Sequence, residues 1–509
     1  MKLPFALALL LLYTLGSGAS RAAEDAADDT GAKAYEAVKT QLDAQKYTEA
    51  ETAAQALVAA LTQEQGAEAE LTLRTRVVLV DVKHSLGKTA EVIAQGRQWL
   101  PAAARVLGAA DSGTLLLRSL LARSMVAAGQ PAAAEQEFRV LIPLEEKALG
   151  PEDRETLASH FRFIRVLCTQ GKFKEAEPLL HRLMAAQTRV YGADAEETLN
   201  TRFFWGVLLS KTDRLQEGTQ ELRQVAARCA RSLGDSAHLT LRCQAALCAL
   251  LGEQGDPGAS VAPLRQLIPT LARVLGPEHE TTLEARFNLT VALNKLEKWR
   301  ECEQESRALL AAAAKVPDAE DQTMLESGMM HAASLSNLGR NDEAARQLQE
   351  LLPRMTHAFG KEHRRTLQIR YLQAAVQEAL KQDAAAEKAC RSLLPEQTRL
   401  LGAADRDTLR TRNVLALAIL NQGQEAAATK ELRQLLADAE SALGAGNATT
   451  LLICYNLARS LRMQKQYPEA LTHARRALEG QTKLLGKDHP DTQDSQKMVD
   501  QLTKQATKA

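Results

Sequence analysis

Aromatic residues and net charge are both scarce in this sequence of 509 residues. Phe, Trp and Tyr together make up 4% of the chain, which is few for the core of a β-sandwich or β-barrel. The 63 Lys and Arg residues balance 63 Asp and Glu residues, so no overall basic field exists to hold nucleic acid. After the first 15 residues no apolar run approaches the roughly 18 residues that a membrane-spanning helix needs. These absences favour a folded helical chain with no nucleic-acid partner.

The N-terminus has the three parts of a secretory signal peptide. Lys2 precedes an apolar stretch over 3–15, and small residues occupy 16–20. Cleavage is expected after Ala19 or after Ala22, since each has a serine two positions earlier. The 13 apolar residues are too few to span a bilayer comfortably, which disfavours an uncleaved anchor. We therefore predict a signal peptide over 1–22 and an extracytoplasmic mature chain, periplasmic or secreted, with no integral membrane span after cleavage.

Cysteine is rare, and its spacing resembles neither a metal site nor a disulfide framework. The seven residues are Cys168, Cys229, Cys243, Cys248, Cys302, Cys390 and Cys454. Their odd number, irregular spacing and lack of a C-x-x-C pair give no indication of zinc or redox chemistry. Packing as small hydrophobic groups is the default expectation for these thiols. One disulfide between neighbouring helices, for instance Cys229 with Cys243, stays open in an oxidising compartment.

A repeat of 42 residues organises most of the chain. Asp318 occupies one of its eleven glycine slots, and the other ten hold Gly66, Gly108, Gly150, Gly192, Gly234, Gly276, Gly360, Gly402, Gly444 and Gly486. Thr stands six residues after the slot in ten units, with Met324 as the exception, and Leu follows in ten units, with Gln493 as the exception. Such self-similarity indicates stacked structural units rather than three or four separate domains.

Each unit carries the signals of two helices. In the unit after Gly150, Pro151 and two acidic residues precede the first helix, helix A, which Gly171 ends. The second helix, helix B, is predicted over 173–190 and stops before the next repeat glycine. Small residues recur once in each helix, which lets the two axes approach closely. Because one hairpin cannot bury its apolar faces alone, the sequence predicts an all-α fold, an α-solenoid of stacked hairpins.

These motifs resemble tetratricopeptide repeats of the 42-residue kinesin-light-chain type. That family's unit reads L-G-x-x-H-P-x-T-L, then N-L-A, then G-x-x-x-E-A. The first motif is approached here from Leu485 to Thr492 and the last from Gly171 to Ala176. The family histidine is present only at His279, His363 and His489. The resemblance covers about residues 31–509 and implies a right-handed superhelix of stacked hairpins that binds proteins.

Counting the repeat frames gives the domain organisation. A first hairpin at about 31–65 and ten 42-residue hairpins make a solenoid over 31–486 with about eleven hairpins. A capping helix and tail cover 487–509, where Gln493 replaces the repeat leucine, because the end of a stack faces solvent. Residues 23–30, with four acids, are expected to be a flexible lead after cleavage.

The resemblance implies a peptide-binding surface lined by the A helices. In the family, the Asn of N-L-A contributes to that surface and can bond the peptide backbone. Only Asn288 and Asn456 match it here. The equivalent slots of eight other units hold Val78, Leu120, Arg162, Phe204, Ala246, Met330, Leu372 and Val414. These side chains either make the groove more apolar than in the family or pack in the core.

Arginine recurs ten residues after the repeat glycine in six units. The residues are Arg76, Arg118, Arg202, Arg286, Arg370 and Arg412. Their guanidinium groups could read carboxylates or phosphates of a partner. The structural alternative is that their stems pack while their heads pair with a neighbouring repeat. The last four, together with Asn288 and Asn456, are the candidate protein-binding residues.

No motif in the sequence favours catalysis. Gly87, Lys88 and Thr89 resemble the end of a phosphate-binding loop, but Val82 stands where that loop needs an earlier glycine. Neither H-E-x-x-H nor the G-x-S-x-G nucleophile motif is present. We therefore expect no enzymatic activity, no cofactor and no metal.

The sequence favours an exported scaffold or adaptor that binds protein or peptide partners through the solenoid surface. Affinity would come from contacts summed over several repeats. The alternative is a structural or assembly component of the cell envelope that self-associates through solenoid ends or faces. The two functions differ in solution mass, because an adaptor is expected to be a monomer that captures a foreign chain.

Overall fold

The structure is a computed structural model that describes residues 21–212, 214–253, 256–316 and 322–507. All regular structure in these ranges is helical, and they contain no strand. The predicted all-α solenoid is confirmed. The signal peptide up to residue 20 and the exceptional slot at Asp318 lie outside the described residues.

Helices A and B alternate along the chain. The A helices are α1 (Arg21–Asp43), α3 (Glu70–Ser85), α5 (Ser112–Ala127), α7 (Arg154–Thr169), α9 (Glu196–Ser210), α11 (His238–Glu253), α13 (Glu280–Lys295), α15 (Gln322–Asn337), α17 (Arg364–Ala379), α19 (Arg406–Asn421) and α21 (Ala448–Met463). The B helices are α2 (Tyr47–Glu64), α4 (Thr89–Val106), α6 (Pro131–Ala148), α8 (Phe173–Val190), α10 (Leu215–Ser232), α12 (Gly258–Val274), α14 (Trp299–Ala313), α16 (Asn341–Phe359), α18 (Asp383–Leu400), α20 (Glu425–Leu443) and α22 (Tyr467–Leu485). A final helix, α23 (Pro490–Ala506), follows them.

The repeat glycine and the repeat threonine form one turn between successive hairpins. All ten glycines have φ between +87° and +108°, a left-handed backbone that glycine adopts without strain. In five units the threonine hydroxyl donates to the glycine carbonyl oxygen, for instance over 2.8 Å from Thr198 to Gly192 and 2.9 Å from Thr408 to Gly402. In these units the two strongest columns of the sequence belong to one local structure that reverses the chain.

The family histidine caps the next A helix. The Nδ1 atom of His279 accepts the amide N–H of Thr281 at 3.2 Å. In another unit the carboxylate of Asp153 accepts the N–H of Glu155 in the same way, at 2.9 Å. A side chain with an acceptor at this place satisfies an unpaired N–H of the first turn. Histidine, aspartate and asparagine all serve as caps here, whereas Ala69 and Ala195 stand at the same place without a side-chain cap.

The first of two compact units, Met1–Ala246, has one continuous hydrophobic core between Val38 and Leu209. Helix A of one hairpin contacts helix A of the next from α1 through α7. These A helices therefore share one face of the unit. Inside the hairpin of α9 and α10 the axes are close, because a Cβ built on Gly218 would lie 2.7 Å from the carbonyl oxygen of Gly206.

The second compact unit, Leu247–Ala509, has several separate hydrophobic clusters among its described residues. Its A helices contact one another in the same way, from α13 through α23. The small helix-B residues of this unit are fully buried at the hairpin contacts; they are Ala344, Ala386, Ala428 and Ala470. Alanine at these places allows the two helices of a hairpin to pack closely.

Residues 23–30 lie within α1, and the flexible lead expected for the chain after cleavage stays a prediction. The helix begins at Arg21 and continues past Gly31 to Asp43. Ala22, Ala23, Ala26 and Ala27 have the highest helix propensity of any residue type, and no proline interrupts them. At the other end, α23 runs from Pro490 to Ala506, within the 487–509 segment expected to contain a capping helix.

Candidate functional site

The two candidate asparagines have different environments. Asn456 is only 3% exposed, and its Nδ2 atom donates to Oδ1 of Asn413 on the preceding A helix at 3.0 Å. Asn288 is half-buried on α13, and its amide bonds none of the described residues. Of the two, Asn288 has the side chain that is open to a new hydrogen bond.

The arginine column is paired with acids inside its own hairpins. Nε of Arg202 lies 2.7 Å from Oε1 of Glu221, and Nε of Arg412 lies 2.9 Å from Oε1 of Glu431. The same helix-A to helix-B pairing joins Arg118 to Glu137, Arg286 to Glu305 and Arg370 to Glu396. The acid therefore belongs to the same hairpin, not to a neighbouring repeat. A partner carboxylate would have to displace it, and a protein-binding role for these arginines stays a prediction.

Arg76, the first member of that column, forms no ion pair with the described residues. Its Nη1 atom donates to the carbonyl oxygen of Ala67 at 2.8 Å, and its guanidinium carbon lies 5.1 Å from the Trp99 ring centroid. This stacking over an indole replaces the ion pair as a means of fixing the guanidinium group.

A second set of ion pairs joins consecutive repeats. A basic residue at the start of helix B contacts a glutamate 37 residues earlier, in pairs Lys88–Glu51, Lys172–Glu135, Arg214–Glu177 and Arg340–Glu303. The Lys172 ammonium lowers the pKa of Glu135 to about 2, with help from Arg139. Lys88 belongs to the tripeptide that resembles the end of a phosphate-binding loop, and here it forms an ion pair with a glutamate of the preceding repeat.

Two arginines on consecutive A helices of the first unit form no ion pair. This arginine cluster consists of Arg123 on α5 and Arg162 on α7, whose charges act on each other. Neither forms an ion pair or hydrogen bond with the described residues, and the Nη1 atom of Arg162 is buried without an acceptor. Asp81, Glu145 and Glu155 act on the two guanidinium groups only at longer range, so the cluster keeps donors that no acid accepts from.

The arginine cluster contributes to the pKa shifts of neighbouring titratable groups. Burial lowers the pKa of Arg162, and the Arg123 guanidinium lowers it further. Burial, followed by Arg123 and Arg162, lowers the pKa of His84. Burial raises the pKa of Asp81 despite the nearby Arg123. An anion placed against the cluster would offset the cost of these partly desolvated cations.

Aromatic and aliphatic side chains accompany the arginine cluster. Phe161, next to Arg162 on α7, packs edge-on against Phe204 of α9 with ring centroids 5.7 Å apart. On α5, Leu116 is 38% exposed and Val126 is 42% exposed. The A-helix face of the first unit therefore combines unpaired cations with exposed apolar surface.

The A-helix face of the second unit is largely paired within itself. Arg364 contacts both Asp405 and Asp407, at 3.1 and 2.9 Å. The amide of Asn421 donates to Glu378 at 2.8 Å and accepts from Arg459 at 2.8 Å. These side chains bridge consecutive A helices and hold the stack together.

One group with metal-ligand chemistry joins distant parts of the second unit. Ligand-capable atoms of Glu297, His489 and Asp491 lie within 4.8 Å of one another. The Nδ1 atom of His489 accepts the amide N–H of Asp491 at 3.3 Å, so in the neutral ring Nε2 carries the proton and points to Glu297, 3.4 Å away. This is the tautomer of a hydrogen-bonded cap, whereas ligation through Nε2 needs that nitrogen unprotonated.

The arginine cluster was not singled out by the sequence analysis. Arg162 and Phe204 were recognised only as occupants of the family's asparagine slot. A signal was present, because Arg123 stands three residues after the asparagine slot of its own repeat, on the same side of its helix, and Arg162 fills that slot in the next repeat. Whether an arginine has an acidic partner depends on side-chain geometry, which the 42-residue register alone does not determine.

Comparisons with known proteins agree with the repeat. A family profile described as tetratricopeptide repeat matches residues 165–194 and 450–491. Among curated proteins, none matches the chain significantly. No helix of the described residues has the length and apolarity needed to cross a membrane.

Several solved structures are similar in fold. Putative kinesin light chain TPR-like repeats from Podosopora anserina have 23% identity, a TM-score of 0.34, and a match over 40% of this chain and 96% of that chain. BtubC (BKLC) from P. vanneervenii has 18% identity over 45% of this chain and 92% of its own, with a TM-score of 0.35. RapI has 9% identity over 69% of this chain and 99% of its own, with a TM-score of 0.44. The chain carries tetratricopeptide repeats in an all-α solenoid.

Proposed function

We propose that the chain is an exported, non-catalytic scaffold or adaptor that binds a protein segment on the A-helix face of its first unit. The observation that carries this proposal is the arginine cluster beside Phe161 and Phe204. The segment is expected to supply carboxylates for the arginines and apolar side chains for the adjacent aromatic surface. Export rests on the N-terminal sequence alone, and the repeat architecture supports a binding role because such repeats generally mediate protein–protein contacts.

The positive charge of the cluster and the extent of the apolar surface around it both favour a protein segment over a small ligand. The cluster spans two consecutive A helices, α5 and α7, and the apolar residues extend from α5 to α9. An extended or helical segment can reach all of these at once, which sums modest contacts into useful affinity. The carboxylates would form charge-assisted hydrogen bonds with the forked guanidinium donors.

The test begins with affinity capture of the mature chain from its native extracytoplasmic fraction, followed by cross-linking to locate the bound segment. A synthetic peptide of that segment is then titrated against the wild type and an Arg123→Gln, Arg162→Gln double variant. Loss of two charge-assisted contacts should weaken the Kd by about tenfold to a hundredfold. The affinity of the wild type should also fall with added salt.

The matched control is Arg154→Gln. Arg154 lies on the same helix, α7, but its side chain is 76% exposed and paired with Glu197. Its replacement should leave the Kd within about twofold, because surface ion pairs contribute little. Equal affinity of the double variant and the wild type would place the binding site elsewhere, and Asn288→Ala then tests α13 as that place.

Self-association is a separate outcome of the same capture. If only further copies of the chain are recovered, sedimentation at increasing concentration should show a rising mass. That result would favour the alternative function, a structural component of the cell envelope, over the adaptor. A monomer that holds a foreign segment would instead support the adaptor.

A further inference from the structure

Cys229 and Cys243 are in contact across two consecutive repeats of the first unit. Cys229 lies near the end of α10, Cys243 lies in the first half of α11, and both side chains are 0% exposed. The two thiols lie close enough to act on each other. The other five cysteines interact with no second cysteine in the described part of the chain.

The repeat register explains why these two side chains meet. Cys229 stands 37 residues after a repeat glycine, and Cys243 stands nine residues after the next one. In other repeats the same two places also hold side chains in contact. Ser159 donates to Glu145 at 3.1 Å, and Ser495 donates to Gln481 at 2.6 Å. A helix B and the following helix A therefore meet at this pair of places.

The pairs at these two places vary in chemistry. Long polar residues stand opposite hydroxyl residues in the pairs Glu145–Ser159, Gln187–Thr201, Gln397–Thr411 and Gln481–Ser495, and small residues stand opposite large apolar ones in the pairs Ala103–Leu117, Leu271–Ala285 and Ala439–Ile453. The other pairs are Leu61–Thr75, Ala313–Ser327, Met355–Ile369 and Cys229–Cys243. Cysteine stands opposite cysteine in one pair of the eleven, and two thiols at places whose side chains meet can form a bond.

We propose that Cys229 and Cys243 form a disulfide that joins α10 to α11 when the chain meets an oxidising environment. The oxidant is a disulfide of another molecule, such as oxidised glutathione. The Cys229 thiolate attacks that disulfide and releases one thiol. Cys243, as a thiolate, then attacks the mixed disulfide at Cys229 and releases the second thiol. Two cysteine thiols thus lose two protons and two electrons, and the small disulfide is reduced to two thiols.

The reactivities of the seven thiols agree with this order. The interaction with Cys243 lowers the pKa of Cys229, which favours the attacking thiolate. The same interaction, followed by burial, raises the pKa of Cys243. Burial also raises the pKa of unpaired thiols, to about 12 for Cys390 and about 11 for Cys454. Because both paired sulfurs are buried, oxidation proceeds while the chain folds or when α10 and α11 open locally.

The test counts thiols in the full mature chain after refolding with oxidised glutathione. Alkylation under denaturing, non-reducing conditions should label five cysteines instead of seven, and reduction should restore all seven. Trypsin cleaves after Arg228, Arg231, Arg242 and Arg265. It should therefore release the 229–231 peptide joined to the 243–265 peptide.

Two variants assign the bond, because 243–265 also contains Cys248. Cys243→Ala should abolish the cross-linked peptide, whereas Cys248→Ala should keep it. Seven labelled thiols after oxidative refolding would overturn the proposal. A cross-link that survives Cys243→Ala and is lost in Cys248→Ala would overturn it too. The outcome is independent of whether the chain binds a partner.

Discussion

Glu145 occupies a buried place that glutamine fills in three other repeats. Its side chain is 3% exposed and accepts a hydrogen bond from Ser159, and burial raises its pKa to about 7. The equivalent residues are Gln187, Gln397 and Gln481. A neutral amide has the same shape and acceptor as the protonated acid, but it has no proton to lose.

Glu145→Gln is therefore expected to stabilise the protein at pH 8 and to have little effect at pH 4. The folded state retains the Glu145 proton up to about pH 7, whereas the unfolded state releases it near 4.5. Between these values the folded state binds more protons, so the wild type loses stability as pH rises. The gain from the substitution should be about 1–3 kcal/mol above pH 7, measured by urea unfolding at both pH values. In the reciprocal variant, Gln187→Glu, stability should fall with pH over the same range; a pH-independent difference in both variants would contradict the explanation.

At the scale of helices, the hairpin of α9 and α10 depends on two glycines at its contact. A Cβ on Gly218 would lie 2.7 Å from the carbonyl oxygen of Gly206 and 3.1 Å from the amide nitrogen of Ser210. Backbone atoms cannot move aside as a flexible side chain can. Most other hairpins carry alanine at the place of Gly218, so the space available there depends on the separation of the helices.

Gly218→Ala should destabilise the protein by about 1–3 kcal/mol, although alanine has the higher helix propensity. The two helices must separate to admit the methyl group, which loosens the surrounding core contacts. Urea unfolding of the variant measures the effect. Gly446→Ala is the control, because a Cβ there meets nothing within 4 Å. If Gly218→Ala were more stable than the wild type, the two helices would separate without a free-energy cost, which would contradict this explanation.

The sequence predicted helices best where a backbone requirement was visible. The glycine and threonine columns are local, and they place each hairpin correctly because only glycine adopts their turn without strain. The sequence singled out Asn456 and the arginine column as candidate binding residues, but it did not identify the residues that they contact. The distance from Asn456 to Asn413 across two repeats depends on packing that no single unit encodes.

At the scale of the whole molecule, a balanced charge conceals an uneven distribution. The sequence gives 63 residues of each sign, but it does not say which arginines have acidic neighbours. The structure gives some arginines an acidic partner and leaves others, among them Arg123 and Arg162, without an ion pair. A net charge of zero therefore did not reveal the candidate site, whereas the repeat period was enough to predict the architecture.

Cores of different continuity should make the two units open differently. In repeat proteins each hairpin contacts only its neighbours, so stability is local. The first unit has one continuous core from α1 to α9, whereas the second has separate clusters among its described residues. A small cluster consists of Leu283, Leu309, Ala312, Ala313 and Met324, on α13, α14 and α15. A larger one around Leu432 spans α19 to α23.

Hydrogen exchange measured by mass spectrometry should therefore show α2–α9 opening together and α13–α15 opening earlier than α20–α22. A difference of about 2 kcal/mol in opening free energy corresponds to roughly 30-fold faster exchange in α13–α15. Leu309→Ala should accelerate exchange in α13–α15 and leave α20–α22 unchanged, while Leu432→Ala should do the reverse, since both leucines are 0% exposed in separate clusters. If either substitution accelerated exchange equally in both regions, the second unit would open as one cooperative block, and its clusters would be parts of a single core.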